Sequence, residues 1–251
     1  MRILADYHTH TRYSHGRGTI EDNVKSAIQK GLKVIGITDH GSAYLEYGIN
    51  KLDYKKMREI VDRLNEKYAG AIQILLGIEA NIIDQEGNLD VDDMILKNHD
   101  ILLAGFHFDI AYKDLLLEVR SKMKRHENIQ SKIDQGLYEE MIEINTQAMT
   151  DAVKKYPIHI LTHAGDQQPI DIEKVCKVLE KTNTDLEINN FHKFPTIGQL
   201  KIASTFQNIN FVISSDAHRP KDVGNFTKAL KVLKKSGLNI ERVKNIVKDE
   251  K

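Results

Sequence analysis

Two pairs of metal-ligating side chains stand at opposite ends of this chain, His8-Thr9-His10 and Asp216-Ala217-His218. A spacing of two puts both members of a pair on one face of an extended segment. Further ligand types end other short apolar runs: Thr38-Asp39-His40, Gly77-Ile78-Glu79, Gly105-Phe106-His107 and Leu161-Thr162-His163. His15 follows closely in a Ser14-His15-Gly16 turn. A catalytic zinc typically takes three protein ligands and keeps one position open. The seven imidazoles and two carboxylates named here would supply about three such ions, above all if Glu79 bridges two. Any one of these histidines alone reads as a packed or surface residue. Six independent run ends would make that reading a repeated coincidence.

Something must bring these residues together. Seven short runs rich in Ile, Val and Leu recur along the chain: Ile3–His8, Lys33–His40, Ile72–Glu79, Ile101–His107, Ile158–His163, Asp185–Asn190 and Phe211–Ser215. They do not alternate cleanly, as expected of strands buried on both faces of a parallel sheet. Amphipathic segments lie between them. Thr19-Ile20-Glu21-Asp22 has the form of a capping box, opening a helix that Gly31 closes. Asp53–Tyr68, Gly136–Lys155, Asp171–Lys181 and Asp222–Ser236 carry apolar residues at helical spacing. Alternating strands and helices predict an α/β fold. Seven such units without a break predict a closed or nearly closed (β/α)7 barrel, with an open doubly wound sheet as the alternative. In a barrel the C-terminal strand ends converge on one mouth, which is where the ligand types fall.

Composition narrows the function classes. The 251 residues, 41% hydrophobic and 29% charged, predict one globular domain over 1–251. Lys+Arg and Asp+Glu both total 36, so the basic excess of a long-nucleic-acid binder is absent. The single cysteine, Cys176, excludes an internal disulfide and fits a reducing compartment, the cytoplasm by default. No apolar stretch is long enough for a transmembrane helix, and no membrane partner is expected. Lys113–Ile133, rich in Arg and Lys, breaks the alternation; it reads as an inserted lid or interface with a solvated charged face. Of the other histidines, His99 and His159 read as structural at the far end, and His126 as solvated. His192 falls near the mouth, as a substrate contact or a loop residue.

The ordered motifs His8-Thr9-His10, Thr38-Asp39-His40-Gly41, Gly77-Ile78-Glu79-Ala80-Asn81, Ala104-Gly105-Phe106-His107, His163-Ala164-Gly165, Leu186-Glu187-Ile188-Asn189-Asn190 and Ser215-Asp216-Ala217-His218 resemble the PHP (polymerase and histidinol phosphatase) family. The likeness runs over about residues 6–220 and is nearest to its stand-alone bacterial phosphatases with three metals. It implies a distorted seven-stranded barrel. It also implies one metal on His8, His10, Glu79 and Asp216, a second on His15, His40 and His218, and a third on Glu79, His107 and His163. The fifth-strand motif departs from the usual His-Pro-Gly-Asn by reading His163-Ala164-Gly165-Asp166.

Divalent cations outnumbering two carboxylates leave a cationic pocket that favours an anionic substrate. Phosphate esters fit, because their hydrolysis needs mainly positioning and charge stabilisation. The expected function is hydrolysis of a small phosphate monoester by metal-activated water. Asp39 is the candidate proton donor, and Arg17, Arg219 and His192 are candidate substrate contacts. Asp6, Asp39 and Thr38 are candidates to orient the ligating rings. Zinc is the foremost metal, with manganese or iron as alternatives. The competing readings are a histidinol-phosphate phosphatase specifically, a nuclease or nucleotide phosphoesterase on short oligonucleotides, and a non-enzymatic metal-binding accessory domain.

Overall fold

Apolar runs can bury both faces only when helices cover one side of the sheet and a closed interior fills the other. In the computed structural model, which describes residues 2–108, 110, 135–166, 168–192 and 194–247, the runs do this. Seven strands pair in chain order, every neighbour parallel: β2 (Ala5–Asp6), β3 (Val34–Ile37), β4 (Gln73–Asn81), β5 (Ile101–Gly105), β6 (Ile160–Leu161), β7 (Asp185–Asn189) and β8 (Phe211–Ser214). A separate antiparallel pair joins β1 (Arg2–Ile3) to β9 (Ile246–Val247) near the C-terminus. The first run is therefore two strands rather than one. They divide at Leu4, whose N–H donates to Asn245 while its carbonyl accepts from Lys33 and Val34.

Helices α1 (Ile20–Gln29), α2 (Lys51–Lys67), α3 (Asp93–Asn98), α4 (Gln135–Lys155), α5 (Ile172–Leu179), α6 (Ile197–Ser204) and α7 (Thr227–Ser236) lie between the strands. The Thr19–Asp22 capping box is formed, and Gly31 takes a positive φ of 75° just past the end of α1. The short helices α3 and α6 have no counterpart in the periodicity reading. The last helix starts at Thr227 because Pro220–Asp222 forms its own 3-10 turn first.

Closure at the seam between β8 and β2 uses side chains where a ladder would stand. The Asn245 amide donates to Ala5 O (2.8 Å) and Ile213 O (2.7 Å), and its oxygen accepts from Ile213 N (3.0 Å). Asp6 accepts from the main-chain N–H groups of Ser215 and Gly224. This is the distortion in the barrel; an open doubly wound sheet is excluded.

Two layers matter for the site. Ile101, Leu103, Ile160 and Val212 cluster with Tyr7 and Leu75 apart from the main core, forming an apolar plug inside the barrel. On β4, Leu75 and Glu79 share one face, while Ile74, Leu76 and Ile78 face the helices. Apolar packing thus ends where carboxylates begin. The segment 113–133 and His126 lie outside the described residues.

Candidate metal centre

Glu79, near the end of the longest strand, is the hub. Its Oε1 is 3.0 Å from His107 Nε2 and 2.9 Å from His163 Nε2. Its Oε2 lies 3.2 Å from His8 Nε2, 3.4 Å from His10 Nε2 and 3.0 Å from His40 Nδ1. None of those three contacts is an aligned hydrogen bond, and Oε2 is buried without a partner. Asp216 repeats the pattern: Oδ1 is 3.2 Å from His10 Nε2, yet also buried and unbonded. His8 Nε2 and His10 Nε2 stand 3.1 Å apart, room for at most one proton between two lone pairs. Lone pairs converge here on a space that suits a cation. Burying them otherwise costs roughly 1–3 kcal/mol per unsatisfied group, and more for charged ones. The donor set, imidazole and carboxylate, fits zinc, manganese or iron.

The remaining ligand candidates arrive by different routes. His15 sits in a turn closed by Gly16 N–H to Thr11 O (2.9 Å), with its ring stacked on His40 and its centroid 4.2 Å from that of His218. His163 (φ 26°) and Asp216 (φ 53°) are the two non-glycine residues with positive φ among the described residues. Such backbone strain persists where surroundings over-determine it, often at functional sites. Four sets can each hold an ion: His10–His40–His218, His8–His10–Glu79, His40–Glu79–His107 and His163–His192–Asp216.

Burial and neighbours set the protonation states. Burial, then the nearby His218, lowers His10 to about 4; burial, then His10 and His218, lowers His15 to about 3. Both rings therefore keep free lone pairs at neutral pH. Burial alone would raise Glu79, but His8, His107 and His40 hold it well below the usual carboxylate range. His8 goes the other way: burial opposes it, yet Glu79, Asp216 and Glu187 push it well up. A cation bound there would displace that proton.

Three expectations change. Asp39 does not reach the reacting space. It is fully buried, and its oxygens accept from Thr11 N (2.7 Å), Thr11 Oγ1 (2.7 Å), Ser14 N (3.1 Å) and Ser14 Oγ (2.5 Å). Its geometry is that of an anchor for the His15 turn, with no donor role in the pocket. Asp6 and Thr38 likewise bond main chain and do not touch the ligand rings. The carboxylate that orients a ring is Glu187, whose Oε1 takes His8 Nδ1 at 2.8 Å while Oε2 accepts from His163 N and Asn189 Nδ2. It lies on the one run that ends without a ligand type, and its signal was an acidic residue alternating with Leu186 and Ile188 in an apolar strand.

Arg17 and Arg219 line the same pocket, as does Lys228, which the motifs did not flag. All three are exposed. Arg17 N–H donates to His218 O at 2.9 Å, so the seam sets the two arginines beside the histidines. Tyr44 stacks on His40, and Phe191, 55% exposed, leans on His218. Gly41 begins the loop to Tyr44; a Cβ there would collide with the Asp90 carboxylate, which accepts from Ala43 N and Asn81. The pocket holds about 540 Å³.

With this geometry in view, the PHP domain model matches residues 6–191. The chain belongs to the PHP family. A Thermoanaerobacter sp. protein named a probable phosphatase is 34% identical over 260 residues, spanning 98% of this chain and 91% of its own. An Acetivibrio thermocellus protein, also named a probable phosphatase, is 30% identical over 254 residues, spanning 98% and 92%. The solved histidinol phosphate phosphatase of Lactococcus lactis, in complex with zinc, L-histidinol and phosphate, superposes with a TM-score of 0.61 at 16% identity, covering 94% of this chain and 95% of its own. That likeness speaks to the PHP barrel.

Proposed function

We propose that this PHP protein is a metal-dependent phosphatase acting on a small phosphate monoester. One observation carries the reading: a buried carboxylate, Glu79, with five imidazole nitrogens within 3.4 Å and an oxygen lacking any hydrogen bond. His8, His10, Glu79 and Asp216 would hold one ion, His15, His40 and His218 a second, and Glu79, His107 and His163 a third. Zinc is our first choice, with manganese or iron as alternatives. Bound divalent ions supply an activated water at neutral pH and neutralise charge on attacking and leaving oxygens.

The chain's own groups do the rest. Arg17, Arg219 and Lys228 give the rim a positive field that draws a phosphate inward and hold its outer oxygens. Glu187 fixes the His8 ring, and Asp39 fixes the turn that presents His15. Phe191 and Tyr44 offer apolar walls to the leaving group. A cavity of about 540 Å³ suits a metabolite-sized ester. Cys176, buried on α5 with its thiol pushed up to about 12 by burial, takes no part in the chemistry and accords with a reducing, cytoplasmic setting. No helix among the described residues is long and apolar enough to cross a membrane.

The test is phosphate release by zinc-, manganese- or iron-loaded protein from a panel of monoesters, histidinol phosphate included, beside dinucleotides and short DNA. Turnover of a monoester that disappears in His8→Ala supports the reading. Cleavage of the oligonucleotides alone would move the protein to the nuclease class. Unchanged turnover in His8→Ala would remove the site.

A further inference from the structure

The nine expected ligands leave out one imidazole that stands among them. His192 follows β7 in a turn held by Asn189, whose Oδ1 accepts from Phe191 N and His192 N, both at 2.8 Å. The turn directs the ring into the pocket, with its centroid 4.4 Å from that of His163. Nδ1 is 2.6 Å from Asp166 Oδ2, and Nε2 is 3.4 Å from Asp216 Oδ2. One ligand atom each from His163, His192 and Asp216 lies within 4.8 Å of the others.

We propose that His192 is a further metal ligand of this centre, positioned by Asp166. The assignment rests on the metal-centre reading of the mouth but not on the identity of the substrate. Three observations carry it. First, the construction repeats that of His8: a carboxylate sits behind one ring nitrogen, and the other nitrogen faces Asp216. A carboxylate on the far nitrogen is the usual partner of a ligating histidine, because it fixes the tautomer and makes the other nitrogen a better donor. Second, Asp216 Oδ2 already accepts from Asn189 Nδ2 at 3.0 Å, so His192 is not needed to satisfy it. Third, His163 and Asp216, the other two corners, are the residues held at positive φ. The strain is thus spent on the side of the centre where His192 enters. Asp166 supplies the carboxylate behind the His192 ring, at hydrogen-bond distance from Nδ1. An ion on the His163 side would then gain a protein ligand beyond Glu79, His107 and His163.

Metal binding tests this without reference to turnover. Wild type, His192→Ala, His192→Gln and Asp166→Asn are stripped with chelator and titrated with zinc against a chromophoric competitor. Retained metal is counted by mass spectrometry, and cobalt-loaded samples are compared by visible absorption. The expected result is one weakened ion with the others kept. Asp166→Asn should lose about 10–100-fold in affinity for that ion, as when a group orienting a ligand is removed. The His192 variants should lose more, with an altered cobalt spectrum. Circular dichroism checks the fold; if His192→Ala fails to fold, His192→Gln and Asp166→Asn carry the reading. Superimposable zinc isotherms and cobalt spectra in all folded variants would overturn the assignment. Weaker binding of inorganic phosphate at unchanged metal affinity would do so as well, making His192 a substrate contact. If wild type bound no metal at all, the metal-centre reading would fall with it. If one ion is lost in the variants while wild type hydrolyses no monoester, the assignment stands and only the substrate reading fails.

Discussion

Histidines crowd both ends of this barrel, with opposite consequences. At the floor, His99 and His159 meet edge to face with centroids 5.7 Å apart. At the mouth, His40 and His107 meet edge to face at 4.7 Å. Ring contact alone does not separate the two ends; what the nitrogens face does. His159 Nδ1 accepts from Leu102 N at 3.1 Å, and His99 Nδ1 lies 3.2 Å from Ile95 O. The floor rings finish the hydrogen bonding of main chain. The mouth rings point at Glu79 and Asp216, each with an oxygen left buried and unbonded. An imidazole becomes a ligand candidate when its lone pair is left over after the fold has been satisfied.

That contrast can be broken most sharply at its hub. Glu79→Ala should cost metal affinity and phosphate release by more than about 100-fold, past the loss expected for a residue that only orients a ligand. The metal-free variant also loses the Oε1 contacts to His107 and His163 and should melt below metal-free wild type, so circular dichroism must first show that it is folded at the assay temperature. Glu187→Gln is the next step down. It weakens the grip on His8 Nδ1 and His163 N, and should cost roughly 10–100-fold in metal affinity or activity, read by chelator competition. At the rim, Arg219→Ala should raise KM roughly three- to tenfold with kcat nearly kept, the pattern of a contact made equally before and in the transition state.

The floor should respond in stability instead. His159 is exposed, and His159→Ala removes its part-buried acceptance from Leu102 N–H, a loss of about 0.5–1.5 kcal/mol by denaturant melting, with activity unchanged at permissive temperature. Its pH dependence follows from partial desolvation of the ring, then His99 and Lys244, which hold His159 below its ordinary 6.5. The unfolded chain therefore binds this proton more readily, so the contribution is present above 6.5 and is lost as pH falls through the lowered value. Protonated Nδ1 can no longer accept from Leu102. The stability gap between wild type and His159→Ala should narrow as pH drops below 6.5; a gap that widens would contradict this role.

The barrel was legible because parallel strands buried on both faces leave uninterrupted apolar runs, and because a ligand type at the end of a run must lie at the mouth. His8, His40 and Glu79 could be read that way. Asp39 could not, since it is next to His40 and so points to the other side of the chain, under the Thr11–Ser14 turn. Glu187 was hidden by the two asparagines that close its run. Leu4 divided the first run because the seam pairs it with Asn245, a contact across nearly the whole sequence. Helices α3 and α6 are too short for periodicity to mark. Long-range pairings of this kind leave no local trace.

The central claim is that the mouth, and not the floor, holds metal. The direct measurement is metal per chain by mass spectrometry for wild type, Glu79→Ala and His159→Ala, each loaded with zinc and dialysed together. The account predicts equal content in wild type and His159→Ala, with a clear loss in Glu79→Ala. Wild-type content in Glu79→Ala, or metal lost from His159→Ala alone, would contradict it.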